Sequence, residues 1–258
     1  MDREGVEFRS VSFAHRGRPV LAEVSLAVAP GSVAAIVGRS GTGKTTLLKL
    51  ANRLYLPDAG TVLVAGQDTR TWNPISLRRR MGYVIQDAGL LPHLSVDQNV
   101  GLVPRLEGWP VDRRRRRVHE LLDLVGLPPS LFASRMPREL SGGQRQRVAL
   151  ARALAIDPPI LLMDEPFGAL DVVTRAELHA EFTRLQRDLK TTVILVTHDL
   201  AEAARLSHRI GVLHEGRLVA WDSPAAVLRS VDPRIRPLVA AAEDASLRAP
   251  HATPDLLD

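Results

Sequence analysis

The stretch "VAAIVGRSGTGKTTLLKL" (residues 33–50) sets one apolar run before a glycine-rich turn and a second apolar run after it. The first run reads as a buried strand, and residues 45–54 read as the helix that follows it. Between them Gly38-Arg39-Ser40-Gly41-Thr42-Gly43-Lys44-Thr45 fits G-x-x-x-x-G-K-[ST], in the strand–loop–helix setting that this pattern demands. The glycines let backbone N–H groups turn inward as an anion cradle, and the helix N-terminus reinforces it. Lys44 supplies positive charge to the β- and γ-phosphates of a nucleotide, and the Thr45 hydroxyl is placed to ligate Mg²⁺. The candidate nucleotide-binding residues of this loop run from Gly38 to Thr46.

Further apolar runs extend the pattern. "ILLMD" (160–164), "TVILVTH" (192–198) and "IGVLHEG" (210–216) are short and continuous, as the buried strands of a mostly parallel sheet are. The opening section "VEFRSVSFAHRGRPVLAEVSLAVAPG" (6–31) alternates in short segments around a Gly-Arg-Pro turn and reads as an antiparallel β subdomain. Between about 87 and 140 strand patterns give way to helical ones, which suggests a small helical insertion. After about Ser230 the composition turns Pro/Ala-rich, and a polar, mobile tail is expected.

The strand "ILLMD" brings Asp164 out at its C-terminal end, where ligands of open α/β sheets sit. Asp164 then reaches Mg²⁺ directly or through water, and Glu165 suits a general base that polarises the attacking water. By itself an Asp-Glu pair there would be an ordinary solvated strand end; the phosphate loop upstream changes its reading. His198 ends a strand expected beside that of Asp164, near a γ-phosphate, as donor or orienting group. Gln86, after "MGYVI", would touch Mg²⁺ or the attacking water. The catalytic candidates are Glu165, His198, Lys44 and Gln86; the metal candidates are Thr45, Gln86 and Asp164. Together they point to an Mg·ATP hydrolase or switch.

A second glycine-rich turn, "LSGGQRQRVALARAL" (140–154), opens another helix but has no lysine. Ser141 and Gln144 have the spacing of a capping box, so a well-capped helix is the plain reading. Gly142 and Gly143 exceed what capping needs, since each costs conformational entropy. They make sense if a phosphate approaches the bare backbone N–H groups there. Such a turn completes a site built mainly by something else.

Composition narrows the classes. There is no cysteine, so disulfides and thiolate metal sites are excluded. No apolar run approaches the roughly 18–20 residues of a membrane helix. The N-terminal "MDREGVEFRS" has no apolar signal segment, and a cytosolic location is expected. The net charge of +5 would suit an anionic partner, and "DRRRRRVHELLDLVG" (112–126) is its densest cluster. That run reads as a solvated helix face opposite Leu121, Leu122 and Val125, or else as a phosphate-contacting one.

The phosphate loop, "VIQ" at Gln86, "LSGGQ", "LLMDEP", "FGALD" and "VTHD", in this order and spacing, resemble the ATP-binding cassette (ABC) ATPases over roughly residues 5–230. The resemblance implies an α/β P-loop NTPase cassette with a RecA-like core, an antiparallel β subdomain and a helical subdomain inserted at about 87–140. Residues 1–230 would form the cassette and 231–258 a short tail without paired nucleotide-sensing (CBS) modules. It implies ATP and Mg²⁺ as cofactors, and a head-to-tail homodimer in which Ser141, Gly142, Gly143 and Gln144 cap the nucleotide held by the partner's loop. Asp171 would communicate across that interface, and His15 would stand where the family stacks an aromatic ring on adenine.

Long coiled coils and zinc sites of repair cassettes are absent, so no nucleic-acid partner is expected. "KLANRLYLPDAG", "VPRLEGW" and the stretches around "DEPFGALD" and "VTHDLAEAARLSHRIGVLHEG" resemble more narrowly the osmoprotectant (glycine betaine, choline, carnitine) importer ATPases. That implies integral-membrane permease subunits, met through the helical subdomain with Leu90, Leu91, Pro92 and Leu94 lining the groove or packing internally. It further implies an extracytoplasmic binding protein and a peripheral position on the inner face of the cell membrane. A cassette for another small solute or for lipid trafficking is the alternative reading.

Overall fold

The computed structural model describes residues 4–168, 170–189 and 191–248. The chain opens with an antiparallel hairpin of β1 (Val6–His15) and β2 (Arg18–Val28). Its turn holds Arg16 and Gly17 at φ 51° and 77°, the left-handed pair that suits a two-residue hairpin loop. Then come the fully buried β3 (Val33–Val37) and α1 (Lys44–Ala51). The next strands, β4 (Ala59–Val64) and β5 (Gln67–Asp68), return to the hairpin and give an antiparallel sheet of order β2-β1-β4-β5. The expected antiparallel subdomain is therefore present, and it recruits two strands from beyond the phosphate loop.

A short α2 (Pro74–Arg79) leads to β6 (Met81–Val84). The helices α3 (Val96–Val100), α4 (Leu102–Leu106), α5 (Val111–Leu124) and α6 (Pro129–Phe132) fill the interval read as a helical insertion. After them α7 (Gly142–Ala153) returns to the core through β7 (Ile160–Asp164). The remaining elements are α8 (Val172–Leu189), β8 (Thr192–Thr197), α9 (Leu200–Leu206), β9 (Arg209–His214), β10 (Arg217–Asp222), α10 (Pro224–Leu228) and α11 (Arg236–Arg248).

The second sheet has the order β10-β9-β3-β8-β7-β6, parallel except for the β9–β10 pair. Every residue of β3, β7 and β8 is buried, which is why these strands read as unbroken apolar runs rather than alternating ones. Their registers set Val37 beside Thr197 and Asp164 beside Val196. The residues that follow these strands therefore gather at one sheet edge. That edge is where Gly38, Glu165 and His198 begin.

Two large apolar clusters cover the parallel sheet. One joins its strands to the helical lobe through Val118, Leu121, Leu122 and Val125 of the α5 region. The other joins them to the antiparallel sheet through Leu47, Leu48 and Leu50 of α1. Truncating a leucine packed this fully costs about 2–5 kcal/mol, so α1 is firmly seated beneath the phosphate loop.

Two expectations need correction. The composition predicts a tail from 231 onward, yet α11 packs on α9, with Ile235, Val239 and Ala242 buried against Leu200 and Ala203. The spacing Ile235, Leu238, Val239, Ala242 follows one helical face, and burying that face outweighs the Pro/Ala composition. Residues 249–258 lie outside the described residues. Within the arginine run, Arg117 is not a solvated side chain. It donates to the carbonyls of Leu154 and Ala155 and pairs with Asp157, fastening α5 to the end of α7. Arg113 stands 3.7 Å over the Trp109 ring, while Leu121, Leu122 and Val125 are buried as expected.

Candidate functional site

The phosphate loop is shaped by its neighbours. Gly43 adopts φ 100°, and a Cβ there would stand 2.5 Å from Leu21 Cδ2. Only glycine fits both constraints. No side chain caps α1, so the N–H groups of its first turn, which have no intrahelical partner, face the loop. Arg39, Ser40 and Gly41 are exposed at the rim; Thr42 and Thr46 are half-buried.

Lys44 is 7% exposed, and its Nζ donates to Gly38 O at 2.8 Å and to Arg39 O at 3.0 Å. The ammonium thus lies inside the cradle, 4.0 Å from Glu165 Oε1. Burial lowers its pKa from the ordinary lysine value, and the Glu165 and Asp164 carboxylates oppose that shift. An anion entering the cradle would compensate the desolvated charge.

Thr45 Oγ1 donates to Asp164 Oδ1 at 3.0 Å. Burial raises the Asp164 carboxyl above the usual carboxylate range, and the bond from Thr45 opposes the rise. A hydroxyl and a carboxylate at this separation are the hard oxygen pair that suits Mg²⁺. Among the described residues no cluster of three or more His, Cys, Asp or Glu could hold a metal alone. A divalent cation here would complete its shell with phosphate oxygens and water.

Glu165 follows β7 in a left-handed backbone conformation, φ 47°, held by its own N–H to Val196 O at 2.9 Å. Such a conformation costs a non-glycine residue on the order of 1–3 kcal/mol and persists where the surroundings fix it. The result aims the carboxylate across the sheet edge, where Oε2 lies 2.7 Å from His198 Nδ1. Lys44, Thr45, Asp164, Glu165 and His198 are therefore brought together as the sequence suggested.

The other candidates lie around this centre. Gln86 is exposed in the loop after β6, whose partner β7 carries Asp164. Arg152 of α7 donates to Gly89 O at 2.8 Å and Ala88 O at 2.9 Å, tying that loop to the helix opened by Ser141. Asp171 Oδ1 accepts from Thr174 N–H at 3.0 Å, and this bond lowers its carboxyl pKa. Leu90 packs into the helical-lobe core, whereas Pro92 is exposed.

His15 is exposed at the end of β1, its ring 5.8 Å from that of Tyr55. Tyr55, which sequence reasoning passed over, stacks on Phe13 at 5.0 Å and 14°. The His15 ring is tilted 42° and 47° to the other two, and Tyr55 reaches them from far along the chain, so no local pattern announces the cluster.

At the second glycine-rich turn, the capping box is complete. Ser141 Oγ accepts from Gln144 N–H at 3.2 Å, and Gln144 Oε1 accepts from Ser141 N–H at 3.0 Å. The two glycines separate in role. A Cβ on Gly143 would meet Thr174 Cγ2 at 2.6 Å, so packing explains that residue. A Cβ on Gly142 would find only Arg145 Nη2, at 3.9 Å. Gly142 is exposed, and among the described residues nothing demands a glycine there.

The family model for the ABC transporter matches residues 21–168. The chain is 46% identical over 214 residues to the glycine betaine/carnitine/choline transport ATP-binding protein OpuCA of Bacillus subtilis, covering 83% of this chain and 56% of that protein. It thus spans about half the length of that relative. It is 46% identical over 223 residues to the glycine betaine uptake system ATP-binding protein YehX of Escherichia coli, covering 86% of this chain and 72% of that one. Among solved structures, the dimeric bacterial ABC transporter cassette MJ0796 superposes with a TM-score of 0.77 at 33% identity, over 85% of this chain and 98% of that one. The phosphate loop, the carboxylates at the edge of the parallel sheet and these similarities converge: the chain belongs to the ABC transporter family.

Proposed function

We propose that this chain is the ATP-hydrolysing cassette of an importer for a quaternary-amine osmoprotectant. The observation that carries the hydrolase reading is the convergence of the Lys44 cradle, the Thr45–Asp164 pair and the Glu165–His198 pair at one sheet edge. Lys44 and the α1 N-terminus would hold the phosphates, and Thr45 with Asp164 would hold Mg²⁺, which would supply charge neutralisation at the transferred phosphoryl group. Glu165 accepts a proton from the attacking water, and His198 orients that carboxylate and stabilises developing charge. Gln86 contacts the cation or the water, and the exposed His15 ring, backed by Tyr55 and the buried Phe13, receives the adenine.

Two copies of the chain close head to tail, so that Ser141 to Gln144 of each complete the other's site. The open space at Gly142 supports this, as does the dimeric state of the MJ0796 cassette. Separate permease subunits would dock on the helical lobe beside the Gln86 loop, and an extracytoplasmic binding protein would select the cargo. Among the described residues no helix is long and apolar enough to cross a membrane. The chain would then work peripherally, on the inner face. The amine cargo rests on the likeness to OpuCA and YehX.

The test is uptake of labelled glycine betaine, choline and carnitine by cells whose own copy bears Glu165→Gln. Loss of uptake of one amine supports the reading and names the cargo. Unchanged uptake of all three contradicts the amine assignment.

A further inference from the structure

We infer that His179 is a positioning residue for hydrolysis, acting with Glu202 on the Glu165–His198 pair; the inference rests on the hydrolase reading above. His179 of α8 is 7% exposed and Glu202 of α9 is 6% exposed, with Nε2 and Oε1 2.9 Å apart. Neither belongs to the phosphate loop or to the cation pair. A histidine and a glutamate this deeply buried are costly to desolvate, and an apolar pair of similar volume would hold two helices together at least as well. Helix packing alone does not account for them.

What the pair connects does. The Glu202 N–H donates to Asp199 Oδ1 at 3.0 Å, and Asp199 directly follows His198. His198 Nδ1 meets Glu165 Oε2 at 2.7 Å. Just beyond Glu165 in the chain, the fully buried Phe167 sets its ring edge-on to His179, with centroids 4.5 Å apart and planes at 87°. Together with the chain itself, which joins His198 to Asp199 and Phe167 to Glu165 through Pro166, these contacts close a ring through Glu202 and His179.

The two loops that present the base and its histidine are thus moored to one buried point. Glu165 needs such a mooring, because its left-handed backbone is unfavourable unless its surroundings impose it. An imidazole meets both demands at once, offering a flat ring to Phe167 and a nitrogen to Glu202.

The test compares the native full-length chain with His179→Leu, His179→Gln and the double variant His179→Leu/Glu202→Leu. Readouts are kcat and KM for Mg·ATP, affinity for a fluorescent ATP analogue, and Tm. His179→Leu should lose about tenfold or more in kcat, since small displacements of a catalytic group have effects of that size. Its KM and nucleotide affinity should stay within about twofold, the pattern of an interaction that acts only in the transition state. His179→Gln, which still reaches Glu202, should recover part of the rate.

The double variant guards against misfolding. Its apolar pair should restore or raise Tm, while kcat stays low. A folded His179→Leu chain with native kcat, or a double variant whose kcat recovers along with Tm, overturns the inference. A native chain that binds Mg·ATP but never hydrolyses it, alone or with its permease, overturns instead the hydrolase reading beneath it.

Discussion

His198 Nδ1 lies 2.7 Å from Glu165 Oε2, the two residues standing at the ends of the paired strands β8 and β7. The Glu165 carboxylate is thereby held between an imidazole on one side and the Lys44 ammonium, 4.0 Å away, on the other. The histidine side chain is 63% exposed and the carboxylate only 14%. His198 can therefore be removed without opening the core. His198→Ala should lower kcat by about a hundredfold or more, within the range of acid–base contributions. Tm should change little, as is usual at an exposed site. Steady-state hydrolysis and a thermal melt of the same preparation check both halves.

Asp164 presents the opposite balance. Burial raises its carboxyl above the usual range, so the folded chain holds that proton more tightly than the unfolded chain does. The group's contribution to stability is then greatest at pH below the ordinary carboxylate range, and it is lost as pH rises through the elevated folded value. At neutral pH without nucleotide, the ionised side chain weakens the fold. Asp164→Asn should raise the nucleotide-free Tm at pH 7 by about 2–4 °C, the shift that roughly 1 kcal/mol makes in a domain of this size. The same variant should lose the stabilisation that Mg·ATP gives the native chain. Melting curves with and without Mg·ATP at two pH values show both effects.

The paired glycines of the second turn should respond differently to the same substitution. Gly143→Ala forces a methyl against Thr174 Cγ2, so it should cost about 1–3 kcal/mol of stability. Adding Thr174→Ser, which removes that methyl, should restore most of the loss. Gly142→Ala meets open space and should leave the monomer as stable as before, or slightly more so. Its defect should appear only as weaker ATP-dependent dimerisation. Chemical denaturation and analytical ultracentrifugation separate the two.

These contrasts indicate what a sequence can carry. Lys44 and Thr45 were legible because they open α1 inside the phosphate-loop motif, and Asp164, Glu165 and His198 because they stand at strand ends in motifs whose residue types have few other uses. The parallel strands were legible because burial on both faces leaves continuous apolar runs. The pairing of β4 with β1 was not, since antiparallel partners separated by a phosphate loop and a helix leave no local trace. Tyr55 and the His179–Glu202 pair escaped for the same reason, their meaning lying in contacts between distant segments. The helix α11 was different. Its apolar face is present in the sequence, but the Pro/Ala-rich composition around it is equally that of a tail, and only packing on α9 decides between them.

The proposed composite site is tested most directly by Glu165→Gln, which removes the proposed base while keeping the shape of the side chain. Nucleotide should bind to this variant and remain unhydrolysed. Light scattering should then show a monomer in the absence of nucleotide and with Mg·ADP, and a dimer when Mg·ATP is added. A chain that stays monomeric at saturating Mg·ATP, although it binds the nucleotide, would contradict the assignment of Ser141 to Gln144 to a partner's site.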